Sequence, residues 1–348
     1  MPVMRTVAMT RLGRWLARLS VLALGIVVFA PLVTTHAQQA KKLYRIGVLS
    51  EGLAPTAGAT SGPRPLFGEE TWRTAFRHRG YVEGQNALFE FRHAGERFER
   101  LPELAEELVR AKVDVIIAAT TPTALAAKRM TSNIPIIAIS ADPISANLVA
   151  SLARPGGNVT GLFVPWSELS AKGLQLLRDA VPDLDRVAIL WNPLNQTALV
   201  GSQYVETAAK SMGVRTQRIE MRRQEDLDQI SKAIMATRVR GLIVVLDLVT
   251  VRAAPSIAQL AAKHRLPGFH AYREFADAGG LMSYGFTEPG LAQAAVEYAD
   301  KVLRGARPVD LPMEQPMRNE LVLNLKTAKT LGLKIPPTLL GRASGVIE

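Results

Sequence analysis

The sequence predicts an α/β protein made of two doubly wound lobes, each built on a parallel sheet. Three observations lead to this fold class. Strand-like and helix-like patterns alternate from residue 43 almost to the C-terminus, as they do in parallel sheets covered by helices on both faces. The alternation starts again near Pro165. A chain of 348 residues is also long for a single core and suits two domains.

The first 37 residues have the order of a secretory signal peptide. A basic region with arginines and no acidic residue precedes an almost wholly apolar run from Leu19 to Val33. This run is shorter than a typical membrane span. Thr35-His36-Ala37 then offers small residues at both ends of a cleavage site. We expect cleavage after Ala37 and export of a soluble mature chain to the periplasm; a retained N-terminal anchor is the alternative.

The composition excludes several kinds of site. The chain has no cysteine, so disulfides, thiolate metal sites, cysteine nucleophiles and a lipoprotein anchor are excluded. None of the five histidines has metal-ligand spacing, and no nucleotide-binding or nucleophile-elbow motif is present. The formal net charge of +11 is spread out, without interleaved aromatic and basic residues. We expect no metal, no cofactor, no catalytic residue and no nucleic-acid partner.

The first half of the chain is organised around one strand-turn-helix unit. The β-branched run from Val113 to Ile117 predicts a strand buried on both faces. Thr121 is a suitable N-cap and Pro122 fits the first helical position. In order, the predicted elements are strand 43–50, loop 51–65, a helix within 68–79, strand 87–92, amphipathic helix 98–110, strand 113–118, helix 123–130, strand 134–140, short helix 147–153 and strand 159–164.

The second half repeats the rhythm and then turns back. We expect the late segments to return to the first lobe and afterwards to the second. The N-terminal lobe is predicted to comprise 43–163 plus about 285–310, and the C-terminal lobe 164–284 plus about 311–345. The predicted elements are helix 167–181, strand 186–191, helix 197–212, strand 214–219, a helix near 227–234, strand 241–246, a helix, strand 267–270, a helix ending before 279, strand 281–284, helix 288–303, a Pro-rich crossing 304–316, strand 321–324 and helix 326–331 before a Pro-Pro tail.

Polar residues follow many of the predicted strands, at the edge where open parallel sheets bind ligands. For any single residue, a turn or cap is the simpler role. Together these groups suffice for a small zwitterion in a cleft between two lobes that close by a hinge motion. The candidate ligand-binding residues, including one tryptophan expected to line the cleft, are Ser50, Thr120, Thr121, Thr123, Asp142, Trp191, Asn192, Asp247 and Tyr284.

Several stretches match a known family. The most specific is Ser151-Leu152-Ala153-Arg154-Pro155-Gly156-Gly157-Asn158-Val159-Thr160-Gly161; others are Tyr44 to Ser50, Gly80 to Asn86, Ala141-Asp142-Pro143 and Gly279 to Gly285. The chain resembles the ABC transporter substrate-binding proteins of the type I periplasmic binding fold, in the subfamily whose best-known members bind tryptophan, tyrosine or phenylalanine. The resemblance implies two lobes joined by three crossings, and an inner-membrane ABC permease as partner.

We therefore expect a monomeric periplasmic protein that captures an amino acid or a similar small carboxylate. The carboxylate would meet the N–H groups and hydroxyls around Thr120, Thr121 and Thr123, at a helix N-terminus. Asp247 would accept the ammonium group, with helix capping as its alternative role.

Two alternative functions stay open at this point. A sensory ligand-binding module that docks to a membrane receptor would use the same cleft and the same export signal. An exported enzyme rests only on the strand-end acids Asp142 and Asp247.

Overall fold

The structure is a computed structural model that describes residues 42–52, 54, 67–95, 97–316 and 319–348. The expected signal peptide at 1–37 and most of the predicted loop at 51–65 lie outside these residues. None of the helices in the described part of the chain is long and apolar enough to span a bilayer.

The first lobe contains a five-stranded parallel sheet in the order β2-β1-β3-β4-β5. Every residue of β3 is fully buried, because helices cover both faces of the sheet. A single 3-10 turn, Phe98–Arg100, precedes α2. The elements are β1 (Tyr44–Ser50), α1 (Glu69–His78), β2 (Ala87–His93), α2 (Leu101–Arg110), β3 (Val115–Ala118), α3 (Thr121–Met130), β4 (Ile136–Ser140) and β5 (Val159–Phe163).

The second lobe begins with α4 and repeats the strand-helix alternation. Apolar residues on one face of its sheet pack against α4 and α5, and those on the other face pack against α6 and α8. The elements are α4 (Trp166–Ala180), β6 (Arg186–Trp191), α5 (Gln196–Ser211), β7 (Arg215–Glu220), α6 (Leu227–Thr237), β8 (Gly241–Val244), α7 (Leu248–Arg252), α8 (Ala254–Lys263), β9 (Gly268–His270), α9 (Arg273–Asp277) and β10 (Met282–Gly285).

The C-terminal part of the chain contributes to both lobes. Helix α10 (Glu288–Leu303) packs on the first sheet and against α1. There the hydroxyl of Tyr81 donates to Asp300 Oδ1 at 2.8 Å, and Arg304 Nε donates to the same oxygen at 2.7 Å. The chain then returns to the second lobe with β11 (Glu320–Asn324), α11 (Leu325–Thr330), α12 (Pro337–Leu340) and β12 (Gly345–Ile347).

The second sheet has the order β12-β11-β10-β9-β8-β6-β7. The two-lobe α/β prediction is confirmed, with one difference in strand direction. Strand β11 pairs antiparallel with β10, so the second sheet is mixed. This direction follows from the crossing between α10 and β11, which brings the chain back from the first lobe.

Three crossings connect the lobes, at 164–165, at 286–287 and between α10 and β11. The third crossing runs along the edge of the first sheet before it reaches the second. Thr160 Oγ1 donates to the carbonyl of Leu311 at 2.7 Å, and Phe163 N donates to the carbonyl of Glu314 at 3.0 Å. These bonds attach the crossing to β5.

Two segments differ from the sequence-based prediction. The short helix predicted at 147–153 is absent, and the segment forms turns. Asn147 has a φ of 55°, a left-handed conformation that interrupts a right-handed helix. The Pro-Pro tail forms α12 and strand β12, which pairs parallel with β11.

Candidate functional site

The carboxyl ends of strands from both lobes meet at a cleft that contains a small cavity. Residues from the first lobe, on the loops after β1 and β3, form most of its described lining. Leu248 of α7 contributes from the second lobe. The described lining residues are Leu49, Ser50, Glu51, Gly52, Phe67, Ala119, Thr120, Thr123 and Leu248. The cavity therefore lies between the lobes, at the place where a ligand would touch both.

The lobes approach each other closely beside this cavity. Nη2 of Arg252, at the end of α7, lies 3.6 Å from the position that a Cβ atom would occupy on Gly52. The carboxylates of Glu51 and Asp247, one from each lobe, are near enough to interact electrostatically. The cleft is thus narrow here, and each lobe has an acidic group near it.

The threonines after β3 organise the start of α3. Thr120, and not Thr121 as predicted, is the N-cap: its backbone is extended, and its hydroxyl accepts from Thr123 N at 3.4 Å. Thr123 is fully buried, and its hydroxyl donates to the carbonyl of Thr120 at 2.8 Å. The cap falls one residue early because helical backbone angles already begin at Thr121. Thr120 also lines the cavity, and its hydroxyl donates to Glu51 Oε1.

The other first-lobe candidates mostly shape loops. Thr121 Oγ1 lies 2.9 Å from Ser140 Oγ at the end of β4. Ser50 Oγ accepts from Gly52 N at 3.1 Å and so turns the chain after β1. Asp142 is exposed, and its carboxylate accepts from Ser145 N at 3.0 Å. Of these residues, Ser50 is the one that lines the cavity.

Asp247 is the centre of a hydrogen-bonded group in the second lobe. It caps α7, since its Oδ1 accepts from Val249 N at 2.8 Å. Asn192 Nδ2 donates to the same oxygen at 2.9 Å, and Asn195 Nδ2 donates to Oδ2 at 2.7 Å. Asp247 is only 7% exposed. These contacts are those of a helix cap, the alternative to binding the ammonium group of a ligand. They also link the loops after β6 and β8. Sequence reasoning did not select Asn195.

A buried histidine lies behind this group. His270, at the end of β9, is fully buried, and burial lowers its pKa to about 4 because the charged imidazolium is disfavoured there. Its Nδ1 accepts from Tyr272 N at 3.0 Å. His270 is therefore neutral near pH 7 and contributes no positive charge to the cleft.

The two aromatic candidates occupy different places. Trp191 packs in the core of the second lobe with Val187 and Ile189, because alternate residues of β6 face the same side. The guanidinium carbon of Arg218 lies 5.4 Å from the centre of its ring. Tyr284 lies on β10 beside a crossing, and its hydroxyl accepts from Asn319 Nδ2 at 3.3 Å. Neither residue is among the described residues that line the cavity.

Glu51 is a cavity residue that sequence reasoning missed. Burial raises the pKa of its carboxyl; the hydrogen bond from Thr120 opposes this, and the negative charge of Asp247 raises the pKa further. The signal for it in the sequence was positional, because Glu51 follows β1 directly. It is a single acid at the start of the predicted loop 51–65, and nothing in the local pattern distinguishes it from a solvated loop residue.

Comparisons with known proteins agree on the kind of molecule. Residues 70–347 match the family model described as ABC transporter substrate binding protein. A tyrosine-binding protein of Clostridioides difficile (strain R20291) is 27% identical over 261 residues, which cover 75% of each chain.

Solved structures give the same architecture. A conserved domain protein of Vibrio cholerae O1 biovar El Tor is 25% identical, with a TM-score of 0.74 over 88% of this chain and 100% of that one. A Streptococcus pneumoniae ABC domain in complex with L-Trp is 23% identical, also with a TM-score of 0.74 and the same coverage. A ligand-free, open substrate-binding protein of Clostridium difficile has a TM-score of 0.65 at 24% identity, over 88% of this chain and 99% of that one.

Proposed function

We propose that this chain, which belongs to the family of ABC transporter substrate-binding proteins, captures an amino acid or a similar small carboxylate between its lobes. The observation that supports this most directly is the cavity to which both lobes contribute. A ligand held by residues of both lobes stabilises the closed arrangement, so binding and hinge closure are coupled.

The groups around the cavity suit the two ends of an amino acid. The start of α3, beside the cavity residues Thr120 and Thr123, offers N–H groups and a positive dipole end to the carboxylate. The acidic groups of Glu51 and Asp247 suit an ammonium group. The curated relative is named for tyrosine, and one similar structure contains L-Trp, so aromatic amino acids are the first ligands to test.

Saturating ligand is expected to stabilise the folded protein. At a free concentration of 100 Kd, a ligand that binds only the folded state adds about 2.7 kcal/mol to the free energy of unfolding. A thermal-shift screen of the twenty L-amino acids measures this, and small-angle scattering with the best ligand should show a smaller radius of gyration. Ligand recovered unchanged after long incubation would speak against turnover. If neither an amino acid nor a matched carboxylate without the amine raises the melting temperature, the proposed ligand class is wrong.

The proposed site of action is the periplasm, where the mature monomer delivers its ligand to an inner-membrane permease. This follows from the basic, apolar and small-residue order of the first 37 residues together with the family. N-terminal sequencing of the exported protein should give Gln38 as the first residue. A protein that retains Leu19 to Val33 and pellets with membranes would contradict cleavage.

A further inference from the structure

We propose that Glu51 is the residue that binds the ammonium group of the ligand, and that Asp247 positions the opposite wall of the cleft. This inference rests on the proposed function and refines it. It assigns ligand selectivity to a side chain at the end of β1, and it favours ligands that bear a positively charged amine.

Among the described residues, the carboxylate of Glu51 has no cationic partner. Throughout the described ranges, no lysine, arginine or histidine nitrogen lies within 4.0 Å of its carboxylate oxygens. In these ranges, the carboxylate of Glu51 accepts a hydrogen bond from the hydroxyl of Thr120. A carboxylate that is partly buried is costly unless a positive group pairs with it. Asp300 shows the usual arrangement of a partly buried carboxylate. Like Glu51 it accepts a hydrogen bond from a hydroxyl, that of Tyr81, but it also pairs with Arg304 at 2.7 Å.

The position of Glu51 in the cavity also suits contact with a ligand. It lines the cavity together with Ser50, Gly52 and Thr120 of its own lobe and Leu248 of the other. Asp247, the neighbour of Leu248 in the chain, adds a second negative charge within electrostatic range of Glu51. These two carboxylates favour a cation over a neutral or anionic group at this side of the cavity, where the guanidinium of Arg252 also lies near Gly52.

Asp247 and Glu51 differ in how many hydrogen-bond acceptor positions their carboxylates have left. The carboxylate of Asp247 already accepts from a backbone N–H and two asparagine amides, at 2.7 to 2.9 Å. A carboxylate has about four acceptor positions, so Asp247 has little capacity left. Glu51 uses one position in its bond with Thr120. Glu51 therefore has the free acceptor positions that an ammonium group with three N–H donors needs.

The raised pKa of Glu51 agrees with this assignment. The described groups that act on it are Thr120 from its own lobe and Asp247 from the other, with Arg252 near Gly52 at the same side of the cleft. Without ligand, a proton neutralises the carboxylate more readily than in water. An ammonium group in the filled cleft would favour the charged carboxylate and so oppose this shift.

The decisive experiment uses ligands with and without the amine. The probes are L-tyrosine, L-tryptophan and L-phenylalanine, each beside its deamino acid: 3-(4-hydroxyphenyl)propanoate, indole-3-propanoate and 3-phenylpropanoate. Calorimetry on the wild-type protein should show a preference for the best amino acid over its deamino partner. In Glu51→Gln, affinity for that amino acid should fall by about 100-fold, and the preference should disappear. Glu99→Gln removes an exposed carboxylate and should leave both affinities unchanged.

Stability separates a binding role from a structural one. Glu51→Gln keeps the shape and removes a charge, so the ligand-free variant should be at least as stable as the wild type at pH 7. A folded-state pKa above the unfolded one stabilises the protein below the unfolded pKa. That stabilisation is lost as the pH rises through the folded pKa, so the advantage of the variant should grow from acidic to neutral pH. Glu51→Asp, which keeps the charge, should retain part of the amine preference.

The outcomes distinguish the two proposals. Amino-acid binding that is equal in the wild type and Glu51→Gln overturns the assignment of Glu51 and leaves the proposed function intact. The assignment of Glu51 is also overturned, and the proposed function left intact, if the deamino acids bind the wild type more tightly than the amino acids. A ligand-free Glu51→Gln variant that melts well below the wild type would make Glu51 a structural residue. Failure of the wild type to bind any amino acid or any of the deamino acids overturns both proposals.

Discussion

Replacing Asp247 with alanine is expected to lower the free energy of unfolding by about 2–4 kcal/mol in the absence of ligand. The substitution removes the N-cap of α7, which costs about 0.5–2 kcal/mol. It also leaves the buried amide of Asn192 without its acceptor, which costs about 1–3 kcal/mol, whereas the amide of Asn195 is partly exposed to water. Denaturant unfolding monitored by circular dichroism measures the change. The expected loss of stability is large because the carboxylate of Asp247 both caps α7 and links the loops after β6 and β8.

Asp247→Asn is the matched control for this prediction. The asparagine keeps an oxygen that can cap α7, so about half of the loss should be recovered. Once folded at low temperature, the alanine variant should still prefer an amino acid over its deamino partner, because Glu51 is intact. A variant with unchanged stability but no amine preference would instead make Asp247 the ammonium acceptor, as the sequence alone suggested.

Gly161→Ala is expected to destabilise the first lobe by about 3–5 kcal/mol. Gly161 has a φ of 132°, and a Cβ atom there would lie 2.2 Å from the carbonyl oxygen of Ala138, its partner on β4. The backbone conformation costs about 1–3 kcal/mol for a residue with a side chain, and overpacking adds about as much. The carbonyl of Gly161 also accepts from Glu314 N at 3.2 Å, so a shift of β5 would disturb the third crossing. Thermal and denaturant unfolding measure the loss.

Gly80→Ala serves as the comparison for Gly161. Gly80 also has a positive φ, of 86°, but a Cβ atom there would have no neighbour within 4 Å. Only the conformational cost remains, about 1–2 kcal/mol. If both variants lose the same stability, the contact between β5 and β4 is looser than the structure indicates.

Most elements of the fold could be predicted because their local patterns agree with their environments. The buried run of β3 is β-branched and apolar, and α10 begins and ends at the predicted residues, Glu288 and Leu303. The failures have non-local causes. The direction of β11 depends on a crossing from the other lobe, and β12 is a strand because β11 offers a free edge. The residues themselves specify neither relation.

The candidate site could be predicted less completely. Strand-end position identified Ser50 and Thr120, which line the cavity, and Asp247, which lies beside it. It also selected Trp191, because the position at a strand end does not reveal which face of the sheet a side chain occupies. Glu51 was missed, since what distinguishes it is that no cation pairs with it in the described part of the structure. Such an absence becomes visible only once the neighbours of the carboxylate are known.

The return of α10 to the first sheet also constrains how the chain can fold. The strands of that sheet lie between residues 44 and 163. Helix α10, which packs on it, begins only at Glu288, after the strands β6 to β10 of the other lobe. During synthesis, the apolar face of the first sheet therefore stays uncovered until a much later segment of the chain has been made. Closing so long a loop costs entropy, and contacts between distant parts of a sequence form slowly. The two lobes alternate along the chain, since α10 of the first lobe lies between β10 and β11 of the second, so neither lobe is a product of one uninterrupted stretch of chain.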